Sequence, residues 1–579
     1  MVVFLPMYIE KVPNRNSPPA VLLRECWREG GRVRKRTIAN LSSLPEDVIE
    51  MLKHALKGEK LVPIQEAFSI KRSLPHGHVA AILLMLRRLG LEHIIATKRS
   101  RQRDLVVAMI VERLIHPSSK LANTRLWKLT SLGEELGVQD AKVDEVYAAM
   151  KWLLKRQEHI EKKLAARHLK EDMTVLYDVS SSYYEGRTCP LAFFGHSRDH
   201  RKDRPQIVYG VMTDEKGCPV SVNVYPGNTG DPSTVIDQVE KLRTRFYLKH
   251  MVLVGDRGML TQTKIDMIKK FPGLGWISTL KSDAIRSLIE KGTIQPSLFD
   301  TTNLAEISSP DFQGERLIVC YNPFLAEERT RKRDDLILQT QKRLDKIVAE
   351  VKRRTKTPLK QDEIALKVGK VINQYKVEKH FSFTIQEGRF EWSLDIDKVE
   401  REKMLDGIYV VRTSESNKRF SPEQLVLAYK NLSFVERLFR TLKGIDLRIR
   451  PIYHRLEVTV RAHVFVCMLA YYVEWHMRQA LKSLLFDDED LEDLRLTRDP
   501  VAPAKSSLSA KIKKARKMTP DGFPVHSFDT LLHELATQTK NTCVTNYAPS
   551  SPTVELMTEL NPFQERIFKL IKTYPVIGN

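Results

Sequence analysis

The chain has 579 residues, 42% of them hydrophobic and 29% charged, with 94 Lys plus Arg against 72 Asp plus Glu and a net charge of +22. Such a length implies several domains of about 100–200 residues each, and a positive charge that large points to a polyanionic partner, nucleic acid being the commonest. Six cysteines without CxxC spacing, no apolar run near the ~20 residues of a membrane span and no basic stretch before Pro6 argue against a disulfide framework, a transmembrane helix and a secretory signal; a cytoplasmic protein is expected.

Residues 1–70 read as a small β-containing unit. In "AVLLRECWREGGRVRKRTIANL" two strands flank Gly30-Gly31, and the second carries Arg34, Lys35 and Arg36. From 71 to 170 the apolar residues recur every three to four positions, so a helical domain is expected. Its basic cluster, from Arg87 to Arg103, makes it a candidate DNA-binding module. Between 171 and 285 the pattern becomes strand, hairpin, helix, strand, helix, strand. The βββαβαβ order suits a mixed sheet flanked by helices, as in a ribonuclease H-like core.

Residues 286–400 interrupt that core with a charged helical stretch followed by short alternating strands, "HFSFTIQEGRFEWSLDID". Residues 401–480 resume it: a buried strand, "DGIYVVRTS", then the helical stretch "AYKNLSFVERLFRTLK", then a long apolar helix. The acidic and basic runs after Leu481 read as a linker, and 481–579 as a C-terminal helical region. The expected fold class is therefore mixed α/β, a ribonuclease H-like core interrupted by an insertion, with helical N-terminal and C-terminal regions.

Three carboxylates stand out. Asp178 and Asp256 each read as the end of a strand, and in this order of elements those strands are neighbours. Two like charges held close raise each other's pKa, which becomes useful when a divalent cation sits between them. Glu436 borders the apolar stripe Leu432, Val435, Phe439, Leu442, so its helix can pack on the sheet while the carboxylate reaches the same point.

At these residues the chain resembles the DDE transposases of bacterial insertion sequences, in the subgroup with a β-rich insertion and the signature Tyr-x2-Arg-x3-Glu-x6-Lys. Tyr429, Glu436 and Lys443 match it; Leu432 stands at the Arg position. "LYDVSSSYYEG", "GHSRDHRKDRPQIVYGVMTDEKGCPVSVNVYPGNTGD", "LVGDRGM" and "HSFDTLLHELATQTKN" also resemble that subgroup. The resemblance implies that Asp178, Asp256 and Glu436 bind two Mg²⁺ ions, with Mn²⁺ as a substitute, and are catalytic. It also implies that Tyr429 and Lys443 contact DNA near the cut, and Arg437, Arg440 and Lys430 are candidates to replace the missing Arg. The implied partners are double-stranded DNA, as terminal inverted repeats and as target, and a second copy of the chain, in a prokaryotic, nucleoid-associated setting.

Other readings remain open on the residues alone. A structure-specific nuclease on the same core would cut without joining, and a degenerate copy would bind DNA as a repressor. His196 and His200, four apart in a polar stretch with Gly195 and Pro205, read as a basic loop rather than a metal site. Asp199, Asp203, Asp214 and Asp231 read as loop or turn residues outside the site. Trp392 is a stacking platform or a buried strand aromatic, and its strand pattern favours the second.

Overall fold

Gly30 and Gly31 take φ of 57° and 80°, the two left-handed positions that a tight two-residue hairpin needs. They join β2 (Ala20–Glu29) to β3 (Arg32–Asn40), and β1 (Val3–Val12) pairs with the other edge of β2. The structure, a computed structural model, describes residues 3–15, 17–59, 68–300, 302–545 and 553–575. It divides into a smaller unit, Met1–Leu74 with Thr539–Glu559, and a larger one, Pro75–Gln538 with Leu560–Asn579. The smaller unit holds the β1–β3 sheet, the helix Glu46–Leu56 and the strand β4 (Phe68–Pro75).

In the larger unit, helices from Gly77 to His168 precede β5 (Thr174–Tyr183), β6 (Gln206–Thr213) and β7 (Pro219–Pro226). The helix Asp231–Glu240, β8 (Met251–Val254), the helix Gln262–Ile268 and β9 (Leu274–Thr279) follow. These are the elements the sequence pattern predicts, in the same order. β6, β8 and β9 are buried along their whole length, which explains why they read as continuous apolar runs rather than alternating ones.

The sheet is larger than expected. β10 (Leu304–Ile307), β11 (Arg316–Tyr321) and β14 (Ile408–Thr413) extend it to eight strands among the described residues, in the order β10-β11-β14-β9-β8-β5-β6-β7. β5, β8 and β9 run parallel to one another, and every other pairing is antiparallel. Residues 304–321, read from sequence as insertion, thus belong to the sheet. The helix Glu457–Ala480 packs on β7 and the helix Leu432–Lys443 on β5. Gly210 in β6 makes room for the Tyr177 side chain of β5: a Cβ there would lie 2.2 Å from the Tyr177 hydroxyl, so the ring would have to shift.

What projects from the sheet is the segment between β11 and β14. It contains the 31-residue helix Pro323–Arg353, the helix Gln361–Tyr375, and a hairpin of β12 (Phe381–Gln386) and β13 (Arg389–Leu394). These pack a core of their own around Leu344, Ile364, Val368, Phe381 and Phe390. The segment's two ends meet, because Asn322 N–H donates to the Gly407 carbonyl over 2.9 Å. Buried Arg333 on the long helix pairs with Asp406 at the other end. Trp392 belongs to this small core: its ring packs against Phe381, and its indole N–H donates to Asp345 over 3.2 Å.

The C-terminal stretch is also not wholly helical. β15 (Thr539–Thr545) and β16 (Val554–Met557) join β4 in a three-stranded sheet of the smaller unit. No helix among the described residues is long and apolar enough to cross a membrane.

Candidate active site

β8 ends at Val254, while β5 runs on to Tyr183. Their parallel register pairs Leu176 with Val254, so Asp178 and Asp256 each stand two residues beyond the last matched pair, on the same face by the period-2 rule. Asp178 is therefore in mid-strand rather than at a strand end as expected, and its edge opens because its neighbour has stopped. Asp256 begins the turn that follows β8, where its Oδ1 accepts from Met259 N–H over 2.7 Å.

The electrostatics bind the two together. Burial pushes the Asp178 carboxyl up to about 7; a bond from Val179 N–H opposes this, and the Asp256 charge adds to it. Arg198, itself paired with Asp231, pulls the other way. A half-buried carboxyl facing a second carboxylate is a site that a divalent cation would stabilise, since an all-oxygen donor set suits hard cations.

The stretch from Ala428 to Lys443 forms two helices, Pro422–Lys430 and Leu432–Lys443, that meet at Asn431. Asn431 keeps helical dihedrals, φ −64° and ψ −18°, so the break is slight. Leu432, Val435, Leu438, Phe439 and Leu442 are buried and Glu436 is exposed beside them, the border position read from sequence. The half-buried Tyr429 hydroxyl accepts from Thr279 over 3.1 Å. Its pKa is raised by burial first, and also by the charges of Asp256 and Glu436; the phenol therefore lies within electrostatic reach of both carboxylates.

Lys443 is placed differently from the expectation of a free phosphate contact. Its Nζ donates to Asp199 over 3.0 Å. Asp199 has no exposed side-chain surface; it also pairs with Arg450 and accepts from Tyr183 N–H at the end of β5 over 3.0 Å. This aspartate, set aside in the sequence, ties the loop after β5 to the end of the Glu436 helix. Nothing local signals it, because the cations that pair with it lie more than 240 positions away in the chain. His196 and His200 lie in that loop and not on a helix.

Arg437 and Arg440 are exposed and line a cleft of about 780 Å³ with Arg495, Lys505 and Lys514. In the smaller unit Arg34, Lys35 and Arg36 are exposed but engaged with Glu29, Glu10 and Glu25.

A second basic cleft, of about 480 Å³, is lined by Arg113, Lys120, Lys151, Arg448, Arg450 and Arg455. The Lys120 ammonium is buried without a hydrogen-bond partner among the described residues. Burial, with Arg113 nearby, pushes its pKa from 10.5 down to about 7. Between those values the unfolded chain holds the extra proton, so stability should rise with pH across that window. Lys120→Met should flatten the rise and increase stability at neutral pH, which denaturation midpoints at the two ends of the window will measure. A wild-type slope no steeper than the variant's would contradict it.

A family model described as Transposase DDE domain matches residues 174–473, more than half of the chain and all of the sheet just described. The chain belongs to the DDE transposase family. A second model, described as IS1634 family transposase, N-terminal domain, matches residues 9–63, so this is an insertion-sequence transposase, an enzyme of metal-dependent DNA cleavage and joining. No curated protein matches it. Among solved structures, it is similar to piggyBac transposase in a synaptic complex with hairpin DNA, at 9% identity over 79% of each chain and a TM-score of 0.32, a likeness too slight to bear on the site.

Proposed function

We propose that this transposase binds the terminal inverted repeats of its element as double-stranded DNA, cleaves at the element ends and joins the freed 3′-hydroxyls to target DNA. Asp178, Asp256 and Glu436 are the residues that would hold two Mg²⁺ ions, with Mn²⁺ able to substitute. Bound there, the cations supply neutralisation of phosphate charge and a lowered pKa for the attacking hydroxyl. The observation that carries the proposal is that Asp178 and Asp256 each stand two residues beyond the last matched pair of the parallel strands β5 and β8, with the Asp178 proton held up by burial and by its neighbour.

The strand order β7-β6-β5-β8-β9, in which β6 alone runs against the other four, supports a ribonuclease H-like core. Within it the two aspartates face the scissile phosphate from the sheet, and Glu436 approaches from its helix. Tyr429, held by Thr279, orients the backbone beside them. Arg437, Arg440 and the cleft around Lys120 neutralise flanking phosphates, each such contact steepening the salt dependence of binding. Arg34, Lys35, Arg36 and the helical segment 71–170 extend the DNA contact beyond the cut. Lys443 contributes by holding Asp199 and its loop. Two DNA ends are brought together by a homodimer.

The deciding experiment offers the purified chain uncut element ends, pre-cut ends with free 3′-hydroxyls, and a target duplex, with and without Mg²⁺. Mg²⁺-dependent joining of pre-cut ends is the expected result. Cutting without joining would overturn the strand-transfer step and leave a nuclease on the same core. Binding without either reaction would leave a repressor.

A further inference from the structure

The molecule holds a cluster of metal-ligating side chains that the reaction above does not use. We propose that His168, Cys218 and His476 form a structural zinc site inside the larger unit. All three are buried, Cys218 and His476 completely. The Cys218 sulfur lies 3.8 Å from His168 Nε2 and 3.8 Å from His476 Nε2, and the three ligand atoms fall within 4.8 Å of one another. Tetrahedral zinc, with bonds of about 2.3 Å to sulfur and about 2.0 Å to nitrogen, needs sulfur–nitrogen edges of roughly 3.5 Å. The two sulfur–nitrogen edges need to shorten by only a few tenths of an ångström to reach that geometry.

The one thiol proton faces two ring nitrogens, so without a metal His168 Nε2 relies on the Tyr472 hydroxyl. The far side of each ring is also prepared. His168 Nδ1 lies 3.6 Å from the Asp214 carboxylate, and His476 Nδ1 lies 3.0 Å from the Tyr574 hydroxyl. Such partners hold the proton on Nδ1 and aim the Nε2 lone pair inward, as outer partners of zinc-bound imidazoles do. A fourth donor would have to come from the Tyr472 hydroxyl, 3.0 Å from His168 Nε2, or from water.

Two imidazoles and a thiolate select zinc over the hard, oxygen-seeking cations that suit Asp178, Asp256 and Glu436. The two sites would therefore sort their cations by donor chemistry. The ligands come from distant parts of the chain: the end of the helix Gln157–His168, the turn between β6 and β7, and the helix Glu457–Ala480, with Tyr574 just after the helix Pro562–Thr573. Gly217, beside Cys218, packs so closely on Phe434 that a Cβ there would lie 2.6 Å from the Phe434 Cβ. The cation would thus steady the turn on which the Glu436 helix rests.

The test uses the full chain, purified and incubated with zinc, then freed of excess by gel filtration. About one tightly held zinc per chain is expected, with loss in Cys218→Ser and in His476→Gln and retention in Asp256→Ala. Replacement by Co²⁺ should give a thiolate-to-cobalt charge-transfer band in the wild type that Cys218→Ser lacks. Should the Cys218 and His476 variants fail to fold, the wild type decides alone: a thiolate-to-cobalt band with stoichiometric metal supports the site. A wild-type chain that retains no zinc, or takes up cobalt without that band, overturns it. Loss of zinc from Asp256→Ala would place the metal at the carboxylates and overturn it as well.

Discussion

Asp256→Ala is expected to abolish DNA cleavage while leaving the fold and the binding of element ends intact. Removing one of the three carboxylates that would hold the cations forfeits several kcal/mol of charge stabilisation, about 10³-fold or more in rate. The fold should tolerate the change. The loss of one bond to Met259 N–H is offset by relief of the charge that helps hold the Asp178 proton. Cleavage of end-bearing duplexes in Mg²⁺, with a gel-shift of the same duplexes alongside, measures both effects. Undiminished cutting would remove Asp256 from the site, and with it the case for Asp178.

Asp199→Ala should produce the largest structural effect of any single change near the site. The Asp199 side chain is wholly buried between Lys443, 11% exposed, and Arg450, 32% exposed. Stripping the anion leaves two cations facing each other, a change that typically costs about 3–5 kcal/mol; the lower end is expected because Arg450 can turn toward water. A fall in the denaturation midpoint should come with loss of joining, since the bond from Tyr183 N–H goes too and the loop loses one of its ties to β5. Asp203→Ala in the same loop is the control. Its partner Arg201 and Asp203 itself are exposed, and little change is expected there. Equal effects from the two variants would contradict the structural role of Asp199.

The contrast between those two aspartates shows where the sequence is legible and where it is not. Strands buried on both faces leave continuous apolar runs, so β5–β9 and β14 can be read with their order, and the order alone makes neighbours of Asp178 and Asp256. The apolar stripe of the Leu432–Lys443 helix likewise places Glu436 at its border. Features made by tertiary contact leave no such trace. β10 is four residues of mixed burial next to a long charged helix, and it is a strand only because β11 pairs with it. Asp178 reads as a strand end because apolar residues stop there, yet the strand continues through Ser180, Ser181 and Ser182, all buried, with Ser181 bonded to the loop that carries His196 and Arg198. The helix break at Asn431 has no proline or glycine to announce it. Asp199 and Asp203 look alike in a polar loop and differ only in what the fold brings to them. The zinc ligands are 50 and 258 positions apart, and no spacing rule reaches that far.

The hydrogen bond from Asn322 to Gly407 gives the projecting segment a further meaning. β11 and β14 are antiparallel neighbours, with Tyr321 opposite Ile408, so topologically everything from 323 to 406 is the loop of a single hairpin. A tight turn of a few residues could bridge the same gap without altering a strand of the sheet. Lineages of this fold are therefore free to lengthen, shorten or exchange that appendage, and with it whatever surface the appendage presents, while the chemistry below stays where it is.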